Sequence, residues 1–405
     1  MRSIFRALLF LSLASALALS QNDSSQPRFQ LSDQAARTVQ ELNSIGPPDD
    51  WTDVPEAARP LLTQLKHQLR DLVWQGLNAE GAQPEPSTLR RRLMADLDRV
   101  GLAASADSSG EQSSEWFTTF SDISLQQPLP GRRLVVATTR LAIPCGDDSS
   151  LYVFERGEGE PSWRLVLAVE RDDYADVSGA AGSLDWKIAS DPDGPWWIVV
   201  ADINPWCTSN WQQLRYRALA QGASPYRPEV MLDRNAGIYL GVDESHRIDL
   251  QPGGFRVSYW ADFSHENDTL TRVHLERWSK QGSHFTRVAP VALRPDDFVD
   301  EWLGTDWEEA ASWSSPAAAE RLKVWHERLR GRDRAPQVEF AQPCPGGTSW
   351  QIGLSQDGVG DTVRWVFTVR RSGEGYAMER IDTQRPPGCP GEAPHPDAPE
   401  QFPGP

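Results

Sequence analysis

Beyond about residue 115 the apolar side chains return at every second position, and this alternation limits what the chain can fold into more than any other feature. Leu134-Val135-Val136, Leu151-Tyr152-Val153-Phe154, Trp163 to Val169, Trp197 to Val200 and Phe255 to Trp260 are short runs of β-branched and aromatic residues bounded by Gly, Pro, Asp and Ser. A strand sends successive side chains to opposite faces, so runs of this kind build antiparallel sheets with one or both faces buried. Three tight turns share a rough form, at Glu155 to Gly159, Lys280 to Ser283 and Arg371 to Gly375, each followed by an aromatic residue: Trp163, Phe285 and Tyr376. Glycine allows the positive φ that hairpin turns often require.

A second echo runs through the prolines. Ile143-Pro144-Cys145, Asn204-Pro205-Trp206-Cys207, Gln251-Pro252-Gly253-Gly254 and Gln342-Pro343-Cys344 each end a strand and turn into the next. Serine follows the cysteine by five residues in the first and last, at Ser150 and Ser349. Four units of about four strands fit this spacing. The expected fold is therefore mainly β, with antiparallel sheets arranged as four propeller-like, four-stranded units; one or two β-sandwiches are the alternative.

Two stretches follow a helical period instead. Leu61, Leu62, Leu65, Leu69, Leu72 and Val73 recur at three- and four-residue spacing behind Pro60, and Pro86-Ser87 opens a second helix carrying Leu89, Leu93, Met94 and Leu97. Residues 31–114 thus read as a helical segment closing on a small, polar linker from Ala103 to Ser114. Residues 295–331 form a helical insertion between the β region 115–294 and its continuation 332–385, and a proline-rich tail occupies 386–405.

The insertion is acidic: Asp296, Asp297, Asp300, Glu301, Asp306, Glu308 and Glu309 precede its first basic residue, Arg321. Early carboxylates suit a helix start, and Phe298 and Trp302 share a face directed at the body of the protein. The acids are expected to form a solvated flank; a cation or basic partner on that flank is the alternative.

At the amino terminus, Arg2 and Arg6 precede an apolar run from Ala7 to Leu19, and Ala18-Leu19-Ser20 offers small residues for cleavage before Gln21. Residues 1–20 therefore read as a signal peptide, 21–30 as disordered, and the mature chain as secreted or periplasmic with no integral membrane segment. Losing two arginines with the leader moves the formal charge from -17 to -19, which disfavours nucleic acid as a partner. Four cysteines, Cys145, Cys207, Cys344 and Cys389, suit two disulfides in an exported chain. Spacing cannot choose among the three pairings; Cys145–Cys207 with Cys344–Cys389 is preferred, the second because it would hold the start of the proline-rich tail.

Seventeen tryptophans are the strongest hint of recognition. Trp196, Trp206 and Trp211 gather around the Cys207 corner, and Trp302 and Trp307 lie in the insertion; these could stack sugar rings or anchor a protein partner, although packing accounts for most of the set. His265, His274, Glu276 and His284, with Asp262 nearby, form the one dense histidine–carboxylate group, and His274 and Glu276 project from one strand face. Exposed loops around that group argue for solvated side chains, so neither metal nor cofactor is assigned. Asp191-Pro192-Asp193-Gly194 resembles a fragment of a calcium loop but lacks its third acid and terminal glutamate, and reads as a turn.

The chain carries no nucleophile elbow, H-E-x-x-H, P-loop or dinucleotide fingerprint. The expectation is a non-enzymatic binding protein for a protein or glycan partner. A secreted hydrolase acting on carbohydrate or peptide, with paired carboxylates such as Asp262, Asp191 or Asp193 as acid and base, is one alternative, and a structural or accessory envelope protein is another.

Overall fold

The computed structural model describes residues 30–45, 54–81, 84–102, 120–143, 146–171, 182–191, 194–204, 209–241, 245–264, 269–330, 337–357 and 362–384. Among the described residues three helices come first: α1 (Gln30–Ser44), α2 (Arg59–Glu80) and α3 (Pro86–Arg99). Proline stands in the first turn of both α2 and α3, where its missing N–H costs nothing, and the Glu85 carboxylate caps α3 by accepting from the amides of Ser87 and Thr88.

Sixteen strands follow in four meanders. The first sheet holds β1 (Phe120–Gln126), β2 (Leu134–Ile143), β3 (Gly146–Glu155) and β4 (Arg164–Val169), and the second β5 (Ser183–Ser190), β6 (Trp196–Ile203), β7 (Trp211–Ser224) and β8 (Arg227–Tyr239). The third holds β9 (His246–Gln251), β10 (Gly254–Ser264), β11 (Thr269–Gln281) and β12 (His284–Val288), and the fourth β13 (Gln337–Pro343), β14 (Ser349–Asp357), β15 (Thr362–Ser372) and β16 (Gly375–Asp382). Every pairing is antiparallel and between chain neighbours, which is the make-up of a propeller blade. Between the third and fourth sheets come α4 (Pro295–Gly304), α5 (Trp307–Ser312) and α6 (Ala319–Arg330). None of the described helices is long and apolar enough to cross a membrane.

The four-by-four plan is the expected one, but the proline echo does not mark equivalent places in it. Pro144 and Pro205 fall in sequence between the second and third strands of their sheets, whereas Pro252 follows a first strand and Pro343 ends one. The glycine-bearing turns keep better phase: all three lie between the third and fourth strands, β3–β4, β11–β12 and β15–β16. Of the four cysteines only Cys344 lies among the described residues; the leader and the proline-rich tail lie outside them.

Alternation decides the layering. On β2 and β3, Val135, Ala137, Tyr152 and Phe154 pack with the leucines of α2 and α3, while Leu134, Val136, Leu151 and Val153 face Ile198 and Val200 of the second sheet. The opposite face of β6, with Trp197, Val199 and Ala201, meets Phe255, Val257 and Tyr259 of the third. The core around the fourth sheet draws every one of its residues from Val291 to Ile381, so this sheet packs on α4 to α6.

The helix α4 is consequently two-sided. Phe298, Val299 and Trp302 enter the fourth core, and Asp300 and Glu301 turn toward arginines of the third sheet. Asp296, Asp297 and Glu301 are buried, at 2%, 0% and 5% exposure, which corrects the expectation of a solvated flank for these three, whereas Asp300, Asp306 and Glu308 are exposed. Buried carboxylates of this kind must be paired, and Arg294, Arg272, Arg287 and His274 supply the partners.

Candidate functional site

Where β8, the third sheet and the insertion meet, a cleft of about 430 Å³ opens. Strand β8 lends Arg234 and Asn235 to one wall. Tyr259, Arg272, His274, Glu276 and Arg287 of the third sheet make the floor, and Asp300, Glu301, Thr305, Asp306 and Glu309 of the insertion close the far side with Arg330.

The floor follows from strand geometry. Arg272, His274 and Glu276 stand at alternate positions of β11, so all three point the same way; Tyr259 is the register partner of His274, and Trp278 that of Arg287. The Glu276 carboxylate accepts from Tyr216 Oη at 2.5 Å, Tyr259 Oη at 3.1 Å and His274 Nε2 at 3.1 Å. Trp278 Nε1 donates in turn to Tyr216 Oη at 3.2 Å. From the insertion, Glu301 accepts from His274 Nδ1 at 2.5 Å, Arg272 Nη2 at 2.6 Å and Arg287 Nη2 at 2.8 Å. His274 therefore bridges two carboxylates and donates through both ring nitrogens, which requires the imidazolium.

The electrostatics agree. Burial works to strip the proton from His274, but the charge of Glu301 and the hydrogen bonds to Glu276 and Glu301 outweigh it and raise its pKa. Burial pushes Glu276 the other way, and His274, Arg287 and the Tyr216 hydroxyl reverse that effect, holding it at about 2. Glu301 is likewise held well below the usual carboxylate range, burial being overcome by His274, Arg272 and Arg287. Burial first, and Glu276 second, lift Tyr216 and Tyr259 so that both remain neutral donors.

Such an arrangement is poor at acid–base chemistry and good at holding its shape. A general acid needs a carboxyl lifted toward working pH, and both buried carboxylates are driven down. Exposed Arg234, Asn235, Asp300, Asp306 and Arg330 ring this fixed floor. Arg272 Nε and Nη1 and Arg287 Nε are buried without a protein hydrogen-bond partner, and Glu309 Oε1 forms an ion pair with Arg287 Nη1 at 3.6 Å. Four arginines and the charged His274 face five carboxylates, so the lining is formally neutral.

His274 and Glu276 do share one strand face and a hydrogen bond. His284 opens β12 beside a hairpin turn, away from them, and His265 lies outside the described residues. Asp191 sits in the β5–β6 turn and accepts from Lys280 at 2.8 Å, near one end of β11. Asp262 is the register partner of Thr271, nine residues from Lys280 along β11, so its backbone lies roughly 30 Å from the Asp191 end of that strand. Asp193 lies outside the described residues. No group of three or more His, Cys, Asp or Glu side chains suited to a metal occurs among the described residues.

The tryptophans are dispersed. Trp196 belongs to the core between the first and second sheets. Trp302 is fully buried and donates to Ser314 Oγ at 3.0 Å, with Trp307 edge-on at 6.3 Å. Trp206 lies outside the described residues, and Trp211 is exposed at the start of β7. Sequence reasoning missed Tyr216, Arg272 and Arg287 and assigned Glu301 to a solvated flank; the alternation Arg272-x-His274-x-Glu276 was the signal that could have raised the first of the arginines.

Comparison with known proteins adds little. No family model matches the chain, and no curated protein does. A solved structure that aligns with it is the complex of the GH93 alpha-L-arabinofuranosidase of Fusarium graminearum with arabinobiose. Identity is 7%, the TM-score is 0.24, and the match covers 60% of this chain and 62% of that one, a likeness too slight to carry an argument.

Proposed function

We propose that the protein is an exported, non-enzymatic glycan-binding protein whose cleft takes a neutral, hydroxyl-rich sugar. The observation that carries this is the polar, charge-balanced lining of the cleft, in which exposed donors and acceptors, Arg234, Asn235 and Arg330 beside Asp300 and Asp306, surround a rigid floor. A hydroxyl is both donor and acceptor, so it answers each of them, whereas a phosphate meets carboxylates and a cation meets guanidiniums. The volume falls within the range of small-ligand sites, roughly 300–1,000 Å³, but the polar lining suits a sugar better than an apolar molecule. The leader and the even cysteine count support an extracytoplasmic setting, with Cys145–Cys207 and Cys344–Cys389 as the proposed bridges.

Titration calorimetry against soluble neutral oligosaccharides tests the reading. Saturable binding is expected, weakened roughly tenfold or more by Asn235→Ala together with Glu309→Gln, and nearly flat with added salt because no net charge is exchanged. A full panel of neutral sugars giving no heat, or stronger binding of sulfated or phosphorylated sugars, would overturn it.

A further inference from the structure

We infer that the exposed face of the β7–β8 hairpin is a second glycan surface, a platform for an extended neutral polysaccharide. The register sets the pieces side by side: Trp211 opposite Tyr239, Gln213 opposite Gly237, and Arg215 opposite Asn235. Residues at odd positions of β7 share one face, and at this end of the hairpin that face is open, with Trp211 38% exposed and Gln213 exposed beside it. The Trp211 and Tyr239 rings lie 5.0 Å apart at 50° to one another, so together they offer a stepped aromatic surface. Aromatic faces stack on the C–H side of sugar rings while the ring hydroxyls reach neighbouring polar groups, the same division of labour that puts Trp and Tyr where one side is apolar and the other wet.

The exposed amide of Gln213 is such a group, and Asn204 behind it fixes its orientation. Asn204, 7% exposed, donates from Nδ2 to Gln213 Oε1 at 3.3 Å, and its own Oδ1 is buried without a hydrogen-bond partner. A few residues along, Arg215 meets Asp233 through two hydrogen bonds, Nε to Oδ1 at 2.9 Å and Nη2 to Oδ2 at 2.5 Å. That pair cancels its own charge, so the strip, like the cleft, favours a neutral ligand, while the chain's charge of -17 disfavours polyanionic glycans.

Position supplies the length. Strand β8 walls the cleft at Asn235 and carries Tyr239 four residues further, roughly 13 Å away. A chain stacked on Trp211 and Tyr239 can therefore run along β8 toward the cleft. The inference rests on the proposed function for the class of ligand, and on the hairpin alone for the surface.

Retention of the full chain on insoluble cellulose, chitin, xylan and mixed-linkage glucan tests it, run beside calorimetry with soluble short oligosaccharides. Trp211→Ala and Tyr239→Ala should each lower retention roughly tenfold on the polymer that binds, and leave short-oligosaccharide binding unchanged. Near-ultraviolet circular dichroism matching the unsubstituted protein keeps a loss of retention from being a loss of fold. Retention unchanged by both substitutions, or no retention on any polymer, overturns the platform. Binding of short sugars without polymers would leave the cleft reading standing, and polymer retention without short-sugar binding would leave only the platform.

Discussion

Glu301 is the side chain on which most depends. It takes hydrogen bonds from His274, Arg272 and Arg287 while only 5% exposed. Glu301→Gln leaves two guanidiniums facing a neutral amide, and about 3–5 kcal/mol of stability should go with the charge, read as a lower urea midpoint. The pH dependence has two signs. Glu276, lowered from its ordinary 4.5 to about 2, contributes stability that is full above 4.5 and lost as pH falls toward 2; Glu301 acts in the same direction. His274 is raised above its ordinary 6.5, so its share is complete below 6.5 and lost as pH rises through its raised value. Thermal unfolding followed across pH should therefore show a maximum in the mildly acidic range, and His274→Gln should remove the alkaline limb and weaken the acid one, which Arg272 and Arg287 still sustain at Glu301.

At the scale of elements, much was written in the order of residues. Alternation gave the strands, prolines gave the starts of α2, α3 and α4, and the glycine turns mark the last hairpin of three sheets. Two of the five floor residues, His274 and Glu276, could be read too, and Arg272 is spaced for the same strand face. What was hidden is the company they keep. Glu301 lies 25 residues past Glu276 on a helix, and Tyr216 is 60 residues before it on another sheet; nothing in local periodicity joins them. The acidic run of α4 was misread for the same reason, since composition cannot show that arginines of a different sheet wait opposite. One element-level constraint is sharper than its sequence suggests. A Cβ on Gly254, at the start of β10, would stand 2.0 Å from the carbonyl oxygen of Trp278. Gly254→Ala must push β10 from β11 and should cost more than about 2 kcal/mol, with Trp278 fluorescence shifting as its bond to Tyr216 is disturbed.

Across the whole molecule, five of the layers follow one another as helices, sheet, sheet, sheet, helices, with the fourth sheet beyond. The first core is shared: the leucines of α2 and α3 cover one face of β2 and β3. Removing residues 30–102 would uncover Val135, Ala137, Tyr152 and Phe154 together, a contiguous apolar patch. The truncated chain should bind a hydrophobic dye and associate in sedimentation, whereas the full chain should do neither.

The two-sided helix α4 has one more consequence. Its greasy side belongs to the final sheet and its charged side to the sheet before, so the last quarter of the protein is fastened to the rest by ions where other neighbours are glued by hydrocarbon. A sugar lodged in that seam would act as a clasp, delaying the detachment of one module while the remainder melts on its own schedule.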